Sequence, residues 1–373
     1  MTAHGLVIGK FYPPHAGHVG LVRFAASESE RVTVIVMGSV FESVSAERRA
    51  AWLRAEVATA GPALAHVDVL SVVCDAPVEY DSEIAWVANV GLMRAALAAG
   101  GRPEPTAVFT SEDYGRELAT RFGAEHRLFD AARAGHPVSG TAVRADLAGR
   151  WTDVAPAARL DLATRVIVVG AESTGTTTLT TALVDHYRAR GFDAMPYVPE
   201  YGRDFTYELH AETEQRLGRE VAMDELVWLP EHFARIAEHQ NELEDAAALA
   251  CPLVIADTDA FATELWERRY LGSTSDATRA FGTDRLPRRD VYLVTDHVGV
   301  PFFQDGWRDG EHIRAEMSGW FVDELTRRGA SWVLLRGAPE ERLRYAVRLI
   351  DALWDRNSTF ASPPWRGAGA GES

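Results

Sequence analysis

A chain of 373 residues with 47% hydrophobic and 25% charged side chains is long and apolar enough for two globular domains, each burying its own core. Its net charge of -16 excludes broad binding to nucleic acid or to an anionic membrane, because neutralising phosphate needs a basic face. The two cysteines, Cys74 and Cys251, form no metal pattern, the longest apolar runs are strand-sized, and residues 1–5 lack the features of a secretory leader. A cytoplasmic protein with no membrane or nucleic-acid partner is therefore expected, with homo-oligomers left open.

Leu6, Val7 and Ile8 form a short apolar strand that runs into Gly9-Lys10-Phe11-Tyr12-Pro13-Pro14-His15-Ala16-Gly17-His18. Strand-like runs follow at 31–37, 67–73 and 106–110, separated by helical stretches at 46–60 and 83–99. This alternation predicts βα units on a parallel sheet, whose ligands bind at the carboxyl ends of the strands, where the 9–18 loop lies. The loop satisfies G-x-F-x-P-x-H-x-G-H throughout. His15 and His18, at a helix start, can both donate to charge developing on an α-phosphoryl group, while Gly17 lets a nucleotide approach the backbone. A tight turn with two capping histidines is the bland alternative. Lys10 is the only lysine among 38 basic residues, which marks it for a specific task.

Trp86 lies on the 83–99 helix, where core packing is the commoner fate of such a ring. After the fourth strand comes Thr110-Ser111-Glu112-Asp113-Tyr114-Gly115. Near the end of this half, Val138-Ser139-Gly140-Thr141-Ala142-Val143-Arg144 matches [I/V]-S-x-T-x-x-R. Its free N–H groups, Ser139, Thr141 and Arg144 can together hold the β- and γ-phosphates of a nucleotide, although read alone it is an N-cap with a surface arginine. Residues 151–164 show no sustained strand pattern and read as a short linker, with a boundary near 160.

A further strand, Arg165-Val166-Ile167-Val168-Val169, leads into Gly170-Ala171-Glu172-Ser173-Thr174-Gly175-Thr176-Thr177-Thr178 and a helical run. Strand, glycine-rich turn and helix make the frame of a phosphate-binding P-loop. Position 176, where G-x-x-x-x-G-K-[S/T] places a lysine for the β- and γ-phosphates, holds threonine. Tyr197-Val198-Pro199-Glu200-Tyr201-Gly202-Arg203 follows, then a helix around 226–243 whose apolar stripe is core packing. Pro252-Leu253-Val254-Ile255-Ala256-Asp257-Thr258-Asp259 is a strand ending in two carboxylates, the shape of a Walker B position; capping of the next helix is the alternative for Asp259. After a further strand at 291–296, Val300-Pro301-Phe302-Phe303-Gln304-Asp305-Gly306-Trp307-Arg308-Asp309-Gly310 has the aromatic and arginine content of a lid over a phosphoryl donor. The tail 362–373 reads as disordered.

The histidine and [I/V]-S-x-T-x-x-R motifs together resemble those of the His-x-Gly-His nucleotidyltransferases. With one lysine in the chain, the lysine-rich loop of the class I aminoacyl-tRNA synthetases is excluded. Residues 110–115 resemble the Ser-Ser-Glu-x-Tyr-Gly stretch of NadR-type nicotinamide mononucleotide (NMN) adenylyltransferases. In the second half Gly-x-Glu-Ser-x-Gly, Tyr-Val-Pro-Glu-Tyr-Gly-Arg, Ala-Asp-Thr-Asp and Val-Pro-Phe-x-Gln-Asp-Gly-x-Arg-Asp are similar, in order and spacing, to the ribosylnicotinamide kinase half of NadR proteins. The likeness extends from residue 5 to about 355.

The resemblance implies an α/β protein with a Rossmann-like nucleotidyltransferase domain at 1–158 and a P-loop kinase-like domain at 164–358. Its partners are ATP, NMN, NAD and nicotinamide riboside, with Mg²⁺ accompanying ATP. Catalysis of adenylyl transfer would fall to His15, His18, Lys10 and Arg144, with Gly9, Phe11, Gly17, Ser139 and Thr141 around the nucleotide. Trp86, Asp113 and Tyr114 would meet the nicotinamide substrate. In the second half Gly170, Glu172, Ser173, Thr174, Gly175, Thr176, Thr177 and Thr178 would cradle phosphates, and Thr177 and Asp257 would hold the metal, Asp257 also orienting the riboside hydroxyl. Glu200, Arg203 and Asp259 would bind the riboside, and Arg308 would sit in the lid. Two departures stand out. The transferase motif starts at Gly9, so the helix-turn-helix repressor role of some relatives is not carried over, and Thr176 replaces lysine. Either Arg203 or Arg308 supplies the lost cation, or the second half binds nucleotide without catalysing transfer.

Overall fold

The structure is a computed structural model that describes residues 1–77, 79–130, 135, 138–304, 307, 308 and 310–363. The chain divides into two units. One comprises Met1–Leu160 with Ser358–Ser373, the other Asp161–Asn357.

In the first unit the elements run β1 (Gly5–Gly9), α1 (Ala16–Glu28), β2 (Val32–Gly38), α2 (Ala46–Thr59), β3 (Val67–Val73), α3 (Glu83–Ala99), β4 (Ala107–Thr110), α4 (Tyr114–Phe122), β5 (Glu125–Leu128), α5 (Gly140–Ala145) and α6 (Pro156–Leu162). The strands pair in parallel in the order β3-β2-β1-β4-β5. Successive side chains of a strand face opposite sides, and here both sides are buried. Val7, Val34, Val36 and Phe109 pack with Leu21 and Val22 of α1 and Ala50 and Leu53 of α2. Leu6, Ile35 and Val108 pack with Val90, Met93 and Leu97 of α3 and Leu118 and Phe122 of α4. The chain order reverses between β1 and β4, so a crevice opens at their carboxyl ends, where Gly9 and Thr110 lie.

The second unit has β6 (Thr164–Val169), α7 (Thr176–Arg188), α8 (Tyr201–Leu217), α9 (Pro230–Ala250), β7 (Leu253–Asp257), α10 (Ala260–Leu271), α11 (Asp276–Arg279), β8 (Val291–Thr295), α12 (Arg314–Arg327), β9 (Trp332–Leu335) and α13 (Pro339–Ser358). Its four parallel strands run β7-β6-β8-β9. Val166, Val168, Ile255 and Leu293 bury one face against Leu179 and Leu183 of α7 and Ala346 and Ile350 of α13. Among the described residues no helix is long and apolar enough to cross a membrane.

One expectation needs correction. Residues 151–164 are not a loose linker. Trp151, Val154, Ala155 and Ala158 are buried, the Ala155 N–H donates to Pro14 O at 2.9 Å, and Val154 forms an antiparallel bridge with His15. The stretch thus props the histidine loop of its own unit. Of the tail 362–373 expected to be disordered, 364–373 lie outside the described residues and Pro363 is buried; just before it, Thr359 and Ala361 are hydrogen-bonded within the first unit.

Candidate functional site

In the first unit the histidine loop bridges β1 and α1, and its main-chain carbonyls are held from outside. Lys10 O accepts from Arg49 Nη1 at 2.6 Å, Tyr12 O from Arg144 Nη1 at 2.8 Å, and Pro14 O from the Ala155 N–H. Phe11 takes φ of 49°, a left-handed conformation rare for a bulky residue, and its ring lies 4.8 Å from that of His18. The His15 and His18 rings stack 3.6 Å apart. His18 Nδ1 accepts from the His15 N–H at 3.3 Å, so in the neutral ring the proton sits on Nε2, as a donor to an anion requires.

Lys10 is ion-paired with Glu42 at 2.9 Å, and Glu42 also takes Arg49 at 2.7 Å. Burial pushes the Glu42 carboxyl up, but Arg49, the Ser39 N–H and Lys10 outweigh it and leave it below its ordinary range. The lysine is therefore held by a carboxylate beside the loop. In the second motif, Ser139 caps α5 by accepting from the Ala142 N–H at 3.1 Å. Arg144 Nη2 reaches Thr141 Oγ1 at 3.3 Å, and its guanidinium lies 5.4 Å from the centre of the Tyr12 ring. The two motifs, about 120 residues apart in sequence, thus meet at Tyr12 and Arg144. Gly9 ends β1; Gly17 lies in the first turn of α1.

The residues expected to meet a pyridine ring gather around Tyr80, which sequence reasoning missed. Its ring stacks on Tyr114 at 6.0 Å and lies 6.2 Å from Trp86, whose indole N–H donates to Tyr80 O at 3.0 Å. Arg121 covers the Trp86 ring at 5.0 Å, and Asp113 is exposed at the start of α4. Burial raises the Tyr114 phenol, so it is a neutral donor.

In the second unit the P-loop joins β6 to α7. Gly175 has φ of 91°, which turns the chain into α7, and Gly170 leaves no room for a side chain, since a Cβ there would lie 2.3 Å from Thr295 Oγ1. Ser173 O accepts from Arg314 at 2.6 Å and Thr174 O from Arg342 at 2.8 Å, so both carbonyls are tied behind the loop. The Thr174 side chain is turned away from the cavity. It donates to Ala171 O at 2.7 Å and meets Thr295 Oγ1 at 2.7 Å, an anchor in place of the expected phosphate contact.

The Thr177 hydroxyl donates to Asp257 Oδ2 at 2.5 Å, and Tyr197 reaches the same oxygen at 3.3 Å. Burial raises the Asp257 carboxyl, opposed by hydrogen bonds from Thr177, Thr176 and Tyr197 and by the charge of Arg203. The hydroxyl standing where lysine is expected thus favours the charged form of the acidic strand end less than the direct bond from Thr177 does. Glu200, the residue immediately before α8, is pushed up to about 7, by burial first and then by Asp257 and Glu172, while Arg203, 3.7 Å away, and Arg308 oppose the shift. Glu172 is paired with Arg269 at 3.5 Å.

These groups open on a cavity of about 540 Å³ lined by the loop residues 170–173 and 175–178, Glu200, Arg203, Asp257 and Arg308. One wall, unforeseen in the sequence, is aromatic. Trp228 stacks on Tyr270 at 5.2 Å, and Trp307 meets Tyr207 edge-on at 4.6 Å. These rings come from separate elements, and no local pattern links them. The lid folds onto the P-loop, with the Phe303 N–H donating to Ser173 Oγ at 3.3 Å and Arg308 Nη1 to Phe303 O at 3.2 Å. Asp305, Gly306 and Asp309 lie outside the described residues.

Asp259 does not belong to this site. It is fully buried, caps α10 through the Ala262 N–H at 3.0 Å, and takes Tyr292 at 2.8 Å and Arg289 at 3.2 Å. Two positions beyond Asp257 on an extended chain it would share a face, but Thr258, with φ of 71°, breaks the strand and swings it into the core.

Residues 165–342 match the family described as AAA domain. The Trifunctional NAD biosynthesis/regulator protein NadR of Escherichia coli (strain K12) is 23% identical over 346 residues, 88% of this chain and 78% of that protein. A crystal structure of NadR protein in complex with NR superposes with a TM-score of 0.56 at 22% identity, covering 98% of both chains. A second, in complex with NAD and AMP-PNP, gives 0.53 at 22% identity over 97% of this chain and 98% of that one. The fold is that of the solved NadR structures, and over 88% of its length the chain is similar in sequence to NadR of Escherichia coli.

Proposed function

We propose that the first unit joins NMN to the adenylyl group of ATP, giving NAD and pyrophosphate, and that the second phosphorylates nicotinamide riboside to NMN. The observation that carries the first assignment is the meeting of the stacked His15 and His18 and the Arg144 segment at the β1–β4 crevice. The NMN phosphate attacks the α-phosphorus of ATP in line and pyrophosphate leaves. His18 Nε2–H and the His15 ring donate to charge developing on the α-phosphoryl oxygens, and Arg144, Ser139 and Thr141 hold the leaving pyrophosphate. Lys10 contributes by moving from Glu42 to phosphate.

In the second unit the N–H groups of the P-loop hold the ATP phosphates, and Asp257 orients and deprotonates the riboside hydroxyl as it attacks the terminal phosphorus. The donor pair of Thr177 hydroxyl and Asp257 carboxylate suits Mg²⁺, which takes few protein oxygens and completes its shell with phosphate and water. When bound it offsets charge on the transferred phosphoryl group. Arg203 and Arg308, both on the cavity wall, stand in for the absent lysine. A second reading has its own support. Position 176 carries a neutral hydroxyl in place of a cation, as suits a module that binds nucleotide without transferring phosphate.

Incubation of the purified chain with NMN, ATP and Mg²⁺ tests the first activity, and absence of NAD refutes it. A His15→Ala/His18→Ala variant given nicotinamide riboside and ATP isolates the second. No NMN, with Thr176→Lys failing to restore it, leaves the binding-module reading.

A further inference from the structure

Tyr12 lies within the histidine loop, yet its partners come from far along the chain. The residue is 3% exposed, two guanidinium groups lie against its ring, Arg49 at 4.9 Å and Arg144 at 5.4 Å, and its carbonyl accepts from Arg144. The direction of Arg144 is therefore set by Tyr12 twice, through main chain and ring. The Tyr12 hydroxyl is itself fixed at two points. It accepts from the Ser43 N–H at 2.9 Å and donates to Ala361 O at 2.9 Å. Ser43 Oγ donates to Thr359 O at 3.1 Å and accepts from the Ala361 N–H at 2.7 Å, while Phe360 meets the Tyr12 ring edge-on at 5.2 Å.

We propose that Thr359, Phe360 and Ala361 form a strap that positions Tyr12, and through it Arg144, for the phosphates of ATP, making these C-terminal residues part of the transferase site. The proposal rests on the adenylyl-transfer reading for the role of Arg144. The segment belongs to the first unit although it follows the whole of the second. Its contacts are specific. Three hydrogen bonds and one ring pair converge on two residues, and one of those bonds accepts the proton of a buried phenol, a group that is costly to leave unpaired. Released from the strap, the ring can tilt, and Arg144 loses both the surface it lies on and the fixed place of its acceptor. Phe360, Thr359 and Ala361 touch no substrate; they are positioning residues. The effect should therefore fall on ATP and spare the pyridine nucleotide.

Phe360→Ala is the direct test, with Phe360→Tyr as the conservative control and Ser43→Ala as an exposed second variant that cuts two strap bonds. Expected are a rise of about tenfold in KM for ATP with KM for NMN unchanged in Phe360→Ala, a smaller rise in Ser43→Ala, and values within about twofold of wild type in Phe360→Tyr. A general loss of folded enzyme would instead lower kcat and leave both KM values alone, and that pattern overturns the proposal, as does an unchanged KM for ATP. Amide hydrogen exchange gives a readout independent of activity. The segments 10–15 and 140–144 should exchange faster in Phe360→Ala and Ser43→Ala, and unchanged protection refutes the strap. If wild type makes no NAD, the reaction assignment fails while exchange still decides the positioning, and if Phe360→Ala does not fold, Ser43→Ala decides both.

Discussion

The Thr177 hydroxyl and the Asp257 carboxylate are joined at 2.5 Å across the ends of neighbouring parallel strands, one on the P-loop after β6 and the other closing β7. Parallel pairing of Val168 with Asp257 brings them together, so the contact follows from sheet register. If this pair is the reactive centre of the second unit, Asp257→Asn should keep the shape and cut phosphoryl transfer to nicotinamide riboside by about 10²–10³-fold, or ~3–4 kcal/mol. Nucleotide affinity, read by thermal shift, should change only a few-fold. A variant retaining more than a tenth of the wild-type rate would remove Asp257 from the mechanism.

Asp259 should behave in the opposite way. It shares Arg289 with the buried Glu244, whose carboxyl is pushed up to about 8, by burial first, with Asp259 and Asp245 adding to the rise against Arg289 and Arg165. Removing one member of such a network leaves a buried guanidinium short of a partner. Asp259→Ala should destabilise the second unit by about 3–5 kcal/mol while leaving its KM values unchanged at a temperature where it is folded. Denaturant unfolding and steady-state kinetics on one preparation separate the two aspartates.

Glu200 links stability to pH. Its carboxyl is raised from 4.5 to about 7, so between those values the folded protein binds more protons than the unfolded chain, and stability falls as pH rises. The favourable contribution is complete below about pH 4.5 and lost above about pH 7. Glu200→Gln keeps a neutral group at every pH. The variant should match wild type near pH 4.5 and exceed it at pH 8 by on the order of 2–3 kcal/mol. Unfolding curves at both pH values decide this, and a difference independent of pH would show that Glu200 ionises normally.

Gly170→Ala should disable the P-loop with little effect on the first unit. The added methyl would lie 2.3 Å from Thr295 Oγ1, 2.5 Å from Thr174 Oγ1 and 3.0 Å from Thr295 O, the last a main-chain atom that cannot rotate away. A cost of about 1–3 kcal/mol is expected, together with loss of ATP binding at the loop. Calorimetric titration of a His15→Ala/His18→Ala background would register the loss, and undiminished affinity would mean that the loop adapts.

The parts of the fold read most directly from the sequence were those with a strong local pattern. The glycine spacing of the P-loop, the histidine loop and the apolar strands β1, β2, β3 and β6 all have one. β5 was missed because Glu125-His126-Arg127-Leu128 is a four-residue strand at the sheet edge with no buried side chain. α8 was missed because, of its 17 residues, only Phe205 and Thr213 are buried, which leaves no stripe to detect. The 151–164 stretch read as a linker because its small buried alanines mimic loop composition. In the sites, residue types and motif positions were legible, but pairings were not. Nothing local tells that Asp257 faces the cavity while Asp259 turns inward, or that Phe360 rests on Tyr12.

The two arginines behind the P-loop give that loop a thermodynamic character. With Ser173 O and Thr174 O drawn back by Arg314 and Arg342, and Ser173 already in a left-handed conformation, the main chain is committed to its anion-binding shape as soon as the unit folds. Little conformational entropy is then left to lose when phosphate arrives, so the ordering penalty falls on folding and binding keeps more of its contact energy. A loop without its lysine has weaker attraction to offer, and a rigid frame lets what remains count in full.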